Sequence, residues 1–447
     1  MPTEDARKVF VHTFGCQMNE YDSAKIRAQL ARDGFVGTSD PGQAHLILLN
    51  TCSIRDKAEQ KMHSALGEYR LLKKRGQQVV IGIAGCVAQQ EGKALLERYA
   101  DVDLVFGPDA VSHVRELVRG ALEGQRLLDT TFLDLAEYPF VADVDPDATN
   151  QIGAFVTIQK GCDNKCTFCI VPSTRGIEAS RPSPQILTEV RELVARGVKE
   201  ITLIGQNVNS YGLKTPSELT FAQLLRAVAA ISGVERIRYT TSHPRDITDD
   251  VIAAHRDLDV IAAQLHLPVQ SGNSRVLRRM KRFYTREHYL GVIEKLRAAR
   301  PDMVFSTDFI VGFPGETDDE FEDTMRLLDE VGFVTSFSFK YSPRPGTSAL
   351  RLGDEVSDEV AGARLTRLQD RQRELSLAWH RSLEGTEQTV LVEGPSRHDV
   401  GVVCGRASTF VMVNFPGDES LTGQQVKIKV TRGFTNSARG ERLASVT

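Results

Sequence analysis

In the first quarter of the chain, apolar residues come in short, nearly unbroken runs. After each run they return only every third or fourth position. The runs are VFVHTFG (9–15), HLILLNT (45–51) and VVIGIAG (79–85), and the stretches after them are Tyr21 to Arg32, Asp56 to Lys74 and Gln89 to Tyr99. Short continuous apolar runs read as buried strands, and the wider spacing reads as helices with one apolar face. Alternating strands and helices predict a parallel sheet with right-handed crossovers. A fourth run, VDLVFGP (102–108), is expected to finish that sheet before an Asp- and Pro-rich linker, Tyr138 to Asn150.

The same alternation repeats six times between about 151 and 350, through AFVTIQ, EITLIGQN, ERIRYTTS, AQLHLPVQ, VFSTDFIVGF and FVTSFSFKY, with helical stretches such as Pro184 to Ala195 and Asp318 to Val331 between them. Six units fall short of the eight of a closed barrel. An open, crescent-shaped partial barrel is expected, with its site at the carboxyl ends of the strands. Ser357 to Leu383 then reads as one long connecting helix ending at Gly385. Beyond it TVLVEG, VGVVCG, TFVMVNF and VKIKVTRG alternate apolar and polar positions, which predicts a small antiparallel barrel of OB-like size, with Cys404 in its core. The fold class is therefore α/β in three parts: a parallel-sheet domain (1–140), a (βα)6 partial TIM barrel (151–378) and a small β-barrel (379–447).

Composition narrows the function. With 447 residues, 41% of them hydrophobic, the chain can bury several cores. A net charge of −4 leaves nucleic-acid contact to local basic patches. The N-terminus has no apolar leader and no run approaches the ~20 residues of a membrane span, so a cytoplasmic protein without membrane contact is expected. In a reducing compartment seven cysteines favour metal or redox chemistry over disulfides.

Six of those cysteines fall into two trios. Each N-terminal run leads directly to one: Cys16, Cys52 and Cys86. Ligands of open parallel sheets bind beyond the carboxyl ends of the strands, so these three thiols can converge. Gly15 and Gly85, just before two of them, permit close backbone approach. A single cysteine so placed is ordinarily a small buried hydrophobe; three in the same position point to a shared ligand. The second trio, Cys162, Cys166 and Cys169, lies in one loop with C-x3-C-x2-C spacing. Such thiolates suit zinc or an iron-sulfur cluster. No histidine occurs between His113 and His243 and the next cysteine is Cys404, so a local fourth ligand for zinc is missing. A four-iron cluster on three cysteines leaves one iron open to a small molecule.

Other features are less specific. Gly205-Gln206-Asn207, Gln270-Ser271-Gly272 and Gly312 to Glu316 close strands, either as ligand-facing backbone or as ordinary turns. Arg175 suits a carboxylate or phosphate, or a salt bridge. Arg275 to Glu287 carries six basic residues and one acidic, including Arg275, Arg278, Arg279, Lys281 and Arg282, with Phe283 and Tyr284 able to stack on bases. The alternative is a solvated helix face. Lys427, Lys429, Arg432, Arg439 and Arg442 give the C-terminal barrel a basic end, an RNA clamp or a structural cap.

With both trios in view, the chain resembles the methylthiotransferase family of radical SAM enzymes over nearly its full length. Phe168, the aromatic residue before the last loop cysteine, is part of that likeness. Gly15 to Ser23 (GCQMNEYDS), Asn50 to Arg55 (NTCSIR) and Gly205 to Tyr211 (GQNVNSY) resemble the branch acting on N6-isopentenyladenosine beside the tRNA anticodon. Asp163-Asn164 is a mild variation in the cluster loop. The resemblance implies a C-terminal TRAM domain and two [4Fe-4S] clusters, one on each trio. It implies two molecules of S-adenosylmethionine (SAM) per turnover, with Phe168, Gly205, Gln206 and Gln270 beside the SAM site. One cluster would split SAM to a radical that takes the hydrogen from C2 of the adenine, and the other would hold the sulfur. Expected partners are an isopentenylated anticodon stem-loop, met by Arg275, Arg278, Arg279, Lys281, Arg282, Lys427, Lys429 and Arg432, and an electron donor such as flavodoxin or ferredoxin, with the enzyme a monomer. The alternatives are the same chemistry on threonylcarbamoyladenosine or a ribosomal protein aspartate, or an RNA-binding protein with structural metal.

Overall fold

The computed structural model describes residues 6–53, 56–134, 138–141, 143, 145, 152–397 and 399–443. Ile54, Arg55 and most of the expected linker lie outside them. The N-terminal part runs β1 (Lys8–Phe14), α1 (Gln17–Ala31), β2 (Val36–Gly37), β3 (Leu46–Thr51), α2 (Asp56–Lys74), β4 (Val80–Gly85), α3 (Cys86–Glu91), α4 (Lys93–Arg98), β5 (Leu104–Phe106), α5 (Val114–Leu122) and β6 (Leu127–Asp129). All pairings are parallel, in the order β2-β1-β3-β4-β5-β6. The fourth run does not finish the sheet, because β6 adds beyond it. The helix expected over Gln89 to Tyr99 is two helices, broken at Gly92, whose φ of 46° and ψ of −115° leave the helical region. Helices cover both faces, which is why β3 is buried at all six positions and reads as an unbroken apolar run.

The six expected central strands are present. The order is β7 (Gly153–Thr157), β8 (Gln159–Lys160), α6 (Val171–Arg175), β9 (Ala179–Ser180), α7 (Ser183–Ala195), β10 (Glu200–Ile204), α8 (Phe221–Ala229), β11 (Arg236–Tyr239), α9 (Asp249–Asp257), β12 (Gln264–His266), α10 (Ser274–Arg279), α11 (Arg286–Ala299), β13 (Val304–Val311), α12 (Asp318–Val331) and β14 (Thr335–Lys340). Strands β7, β10 and β11 form one parallel sheet and β12, β13 and β14 another, joined by a bridge between Ile237 and Ile261. This is an open partial barrel. Its core lies between strands and outer helices, where Val156, Leu203, Ile237, Leu265 and Phe309 meet Val190, Leu225, Ile293 and Leu328.

Helix α13 (Asp358–Ser382) packs Leu368 into that core, while Trp379 and Leu383, beyond its middle, pack on the next one. The last part is a closed barrel, β15 (Glu387–Pro395), β16 (Val402–Ala407), β17 (Met412–Pro416), β18 (Gln425–Gly433) and β19 (Ala438–Arg442), in the order β15-β16-β17-β19-β18. It has a fifth strand that the apolar pattern does not show, and β17 pairs with β19 in parallel, so the barrel is not wholly antiparallel. Cys404 is not core: it alternates with the buried Val403 and Gly405 and is half-buried on the outer face of β16. Arg236 and Arg238 donate to the carbonyls of Arg406 and Ala407, both at 2.9 Å, which fastens this barrel at the amino-terminal end of β11.

Candidate iron-sulfur centres

Strands β1, β3 and β4 are neighbours, and Phe14, Thr51 and Gly85 form one rung across them. Cys52 and Cys86 follow that rung directly and Cys16 one residue later, so all three thiols stand at one sheet edge. The backbones there are close. A Cβ on Gly15 would lie 2.2 Å from Cys52 Cβ, and one on Gly85 would lie 2.3 Å from Asn50 Oδ1. Both glycines also have positive φ, 122° and 88°. Around the thiols, Asn50 donates to Asn19 O and Ser23 Oγ, both at 2.9 Å, and the Cys16 thiol points at Asn19 Oδ1 at 3.4 Å. Sequence reading missed the role of Asn19, Ser23 and Asn50. The signal was present, since a buried Asn in an apolar strand end needs partners.

Cys16 and Cys86 differ electrostatically. A hydrogen bond with Cys52 and the nearby Arg175 guanidinium bring the Cys16 thiol down to about 6, whereas burial pushes Cys86 up. Arg175, at the end of α6, is buried and donates to Asp22 Oδ2 at 2.6 Å and to Asn19 Oδ1 at 3.3 Å. It is therefore a buried salt bridge facing the thiols.

The second trio sits in the loop between β8 and α6. Cys162 N–H donates to Gly176 O at 3.2 Å, and Cys169 N–H to Cys166 O at 3.1 Å. Thr167 ties the loop outward: its N–H donates to Met280 O at 3.0 Å and its carbonyl accepts from Ala349 N–H at 2.9 Å. Burial raises Cys162 to about 11 and Cys169 to about 12. Helix α6 follows the loop directly and packs against α3, which begins with Cys86. The two trios thus flank one short helix.

Both donor sets fit a cluster better than a single ion. Around one zinc with bonds of ~2.3 Å, thiolates stand about 3.8 Å apart. Among the described residues the group of three ligands drawn within 4.8 Å of one another is Glu59, His63 and Glu91, and neither cysteine trio is so tight. A cubane places each thiolate on a different iron, which suits the wider spacing.

The remaining expected residues fall in three groups. Phe168 packs with Val276, Met280 and Phe313 beside the cluster loop. Gly205 lies against Gln159, and Gln206 Oε1 accepts from Gly161 N–H while its buried Nε2 has no partner among the described residues. Gln270, at a φ of 75°, is bridged to β13 through Asp308 O and Ile310 N–H, both at 2.9 Å. Gln206 thus touches the start of the loop, while Gly205 and Gln270 lie beyond the carboxyl ends of β10 and β12. In the basic segment, Arg275 pairs with Glu320 and Arg279 donates to Pro314 O at 3.0 Å, while Arg278 and Lys281 are exposed without an ion pair among the described residues. Arg282 and Tyr284 are both buried, contrary to the expectation that they face RNA. Phe283 between them is 65% exposed. Lys427, Lys429 and Arg432 lie exposed along β18, with Arg432 over the Phe434 ring at 5.1 Å.

Models of three families match the chain: the radical SAM superfamily over residues 156–328, the uncharacterized protein family UPF0004 over 8–107, and the TRAM domain over 381–443. Curated relatives named tRNA-2-methylthio-N(6)-dimethylallyladenosine synthase are similar end to end. The protein of Pelobacter propionicus is 48% identical over 97% of this chain and 98% of its own, and that of Stenotrophomonas maltophilia 47% identical over 99% and 94%. The chain belongs to the radical SAM methylthiotransferase family. Among solved structures, the radical SAM methyltransferase TsrM of Kitasatospora setae is similar in fold alone, with a TM-score of 0.57 at 13% identity over 77% of this chain and 74% of its own. As a radical SAM methylthiotransferase, the chain works with a [4Fe-4S] cluster and SAM. No helix among the described residues is long and apolar enough to cross a membrane.

Proposed function

We propose that this methylthiotransferase places a methylthio group on C2 of N6-isopentenyladenosine at position 37 of tRNA, holding two [4Fe-4S] clusters and consuming two SAM per turnover. The observation that carries this reading is the placement of two cysteine trios on either side of α6, the first at the carboxyl ends of three parallel strands and the second in the single loop between β8 and α6. When bound, the clusters and SAM supply the electron, the sulfur and the radical that replacement of an unactivated aromatic C–H requires. The chain holds and orients. Cys162, Cys166 and Cys169 would hold the SAM-cleaving cluster, bordered by Phe168, Gly205, Gln206 and Gln270. Cys16, Cys52 and Cys86 would hold the sulfur-bearing one. Arg278, Lys281, Phe283, Lys427, Lys429 and Arg432 offer exposed cations and one aromatic face to RNA. Of the proposed domain limits 1–140, 151–378 and 379–447, the one between the last two is supported by α13, which changes cores between Leu368 and Trp379.

Single cysteine changes test the division of labour. Cys16→Ala should lose methylthiolation, keep SAM cleavage and fall from about eight irons to about four. Cys162→Ala should lose both activities. Thiolation by the Cys16→Ala protein would overturn the assignment.

A further inference from the structure

Residues 281 to 283 turn alternately out, in and out. Lys281 and Phe283 are exposed with φ of 55° and 58°, a left-handed conformation that side chains disfavour. Arg282 between them is buried. Its guanidinium donates to Cys166 Sγ at 3.4 Å, Pro268 O at 3.0 Å and the Tyr284 hydroxyl at 3.0 Å. Among the described residues it has no carboxylate partner. The His243 imidazole nearby is pushed down to about 2 by burial and by Arg282, so it stays neutral. Tyr284 is itself fixed by donating to Val269 O at 2.8 Å.

A buried cation without an anion is strongly destabilising, so such a position calls for a negative partner. The partner at hand is the sulfur set of Cys162, Cys166 and Cys169. Three thiolates on a four-iron core carry net negative charge, and one added electron makes it more negative. We propose that Arg282 is the counter-charge of this cluster, a positioning residue that favours its reduced form and so raises its reduction potential. The proposal rests on the reading of this trio as the radical SAM cluster site. No bond forms or breaks at Arg282; one electron passes from an external donor, dithionite in the test, to the cluster.

The test is a redox titration, followed by electron paramagnetic resonance, of the reconstituted full chain. It is run in a Cys16→Ala/Cys52→Ala/Cys86→Ala background, so that a single cluster is read. At fixed potential the ratio of reduced to oxidised cluster should fall about tenfold or more in Arg282→Met and stay near the parent in Arg282→Lys, which keeps the charge. Unchanged potentials in both variants overturn the proposal. Apoprotein melting guards against a purely structural explanation. Without cluster, Arg282→Met should melt at the same or a higher temperature, because it removes an unpaired buried charge. A lower melting temperature of the iron-free variant makes Arg282 a structural tie and overturns the proposal. If the background protein takes up no iron, the reading of the trio as a cluster site fails instead.

Discussion

Arg175 donates to Asp22 at 2.6 Å across the boundary between the N-terminal sheet and the partial barrel, with the Arg175 side chain buried and that of Asp22 14% exposed. Arg175 ends the helix that follows one cysteine loop, and Asp22 lies on the helix that starts at another cysteine. Breaking one side of a buried ion pair leaves the other charge stranded, at a cost of about 3 to 5 kcal/mol. Arg175→Met should therefore destabilise the chain by roughly that amount in denaturant unfolding followed by fluorescence. A change below about 1 kcal/mol would mean that the pair is solvated in solution.

Gly15 and Gly85 hold the first trio together by what they lack. Gly15→Ala places a methyl within 2.2 Å of Cys52 Cβ on backbone at a φ of 122°. The strand ends must part, at a cost of roughly 1 to 3 kcal/mol. The expected outcome is a reconstituted protein with about half the parental iron, intact SAM cleavage and no methylthiolation. Iron and labile sulfide assays check it. Full iron content with normal product would show that the edge has slack.

A second buried network binds the same two domains. Glu189 accepts from Lys25 at 2.6 Å and also pairs with Arg181, while the Tyr21 hydroxyl lies 3.3 Å away. Glu189→Gln leaves two buried cations short of one negative charge, so a loss of about 3 kcal/mol or more is expected in the same unfolding measurement. Limited proteolysis should then release the N-terminal part faster than from the parent.

The exposed aromatic and cation beside the loop give a prediction about RNA. Phe283→Ala should weaken binding of an anticodon stem-loop about tenfold or more, as loss of one stacked base does. Lys281→Ala should reduce the slope of log affinity against log salt by about 1. Both variants should keep parental iron content. Filter binding across a salt series separates the two effects, and parental affinity in both would exclude this segment from the interface.

Much of the architecture was legible because parallel strands buried on both faces are forced to be apolar throughout. The elements that escaped have no such constraint. Strand β2 is two residues long, β6 is Leu127–Asp129, and β19 reads Ala-Arg-Gly-Glu-Arg, polar because its side chains alternate toward solvent. The cysteine trios were legible from their placement after strands and their spacing. The basic segment was legible only as a charge count. Which arginine turns inward depends on the left-handed backbone of Lys281 and Phe283, and neither residue type announces a positive φ. Arg282 thus passed for an RNA contact while its guanidinium faced Cys166.

The most direct test of the proposed reaction is anaerobic turnover of the reconstituted chain with SAM, dithionite and an isopentenylated anticodon stem-loop, read by mass spectrometry of the nucleosides. N6-isopentenyladenosine should be converted to its 2-methylthio derivative, with 5′-deoxyadenosine formed alongside. Release of 5′-deoxyadenosine with the RNA left unmodified would contradict the substrate assignment.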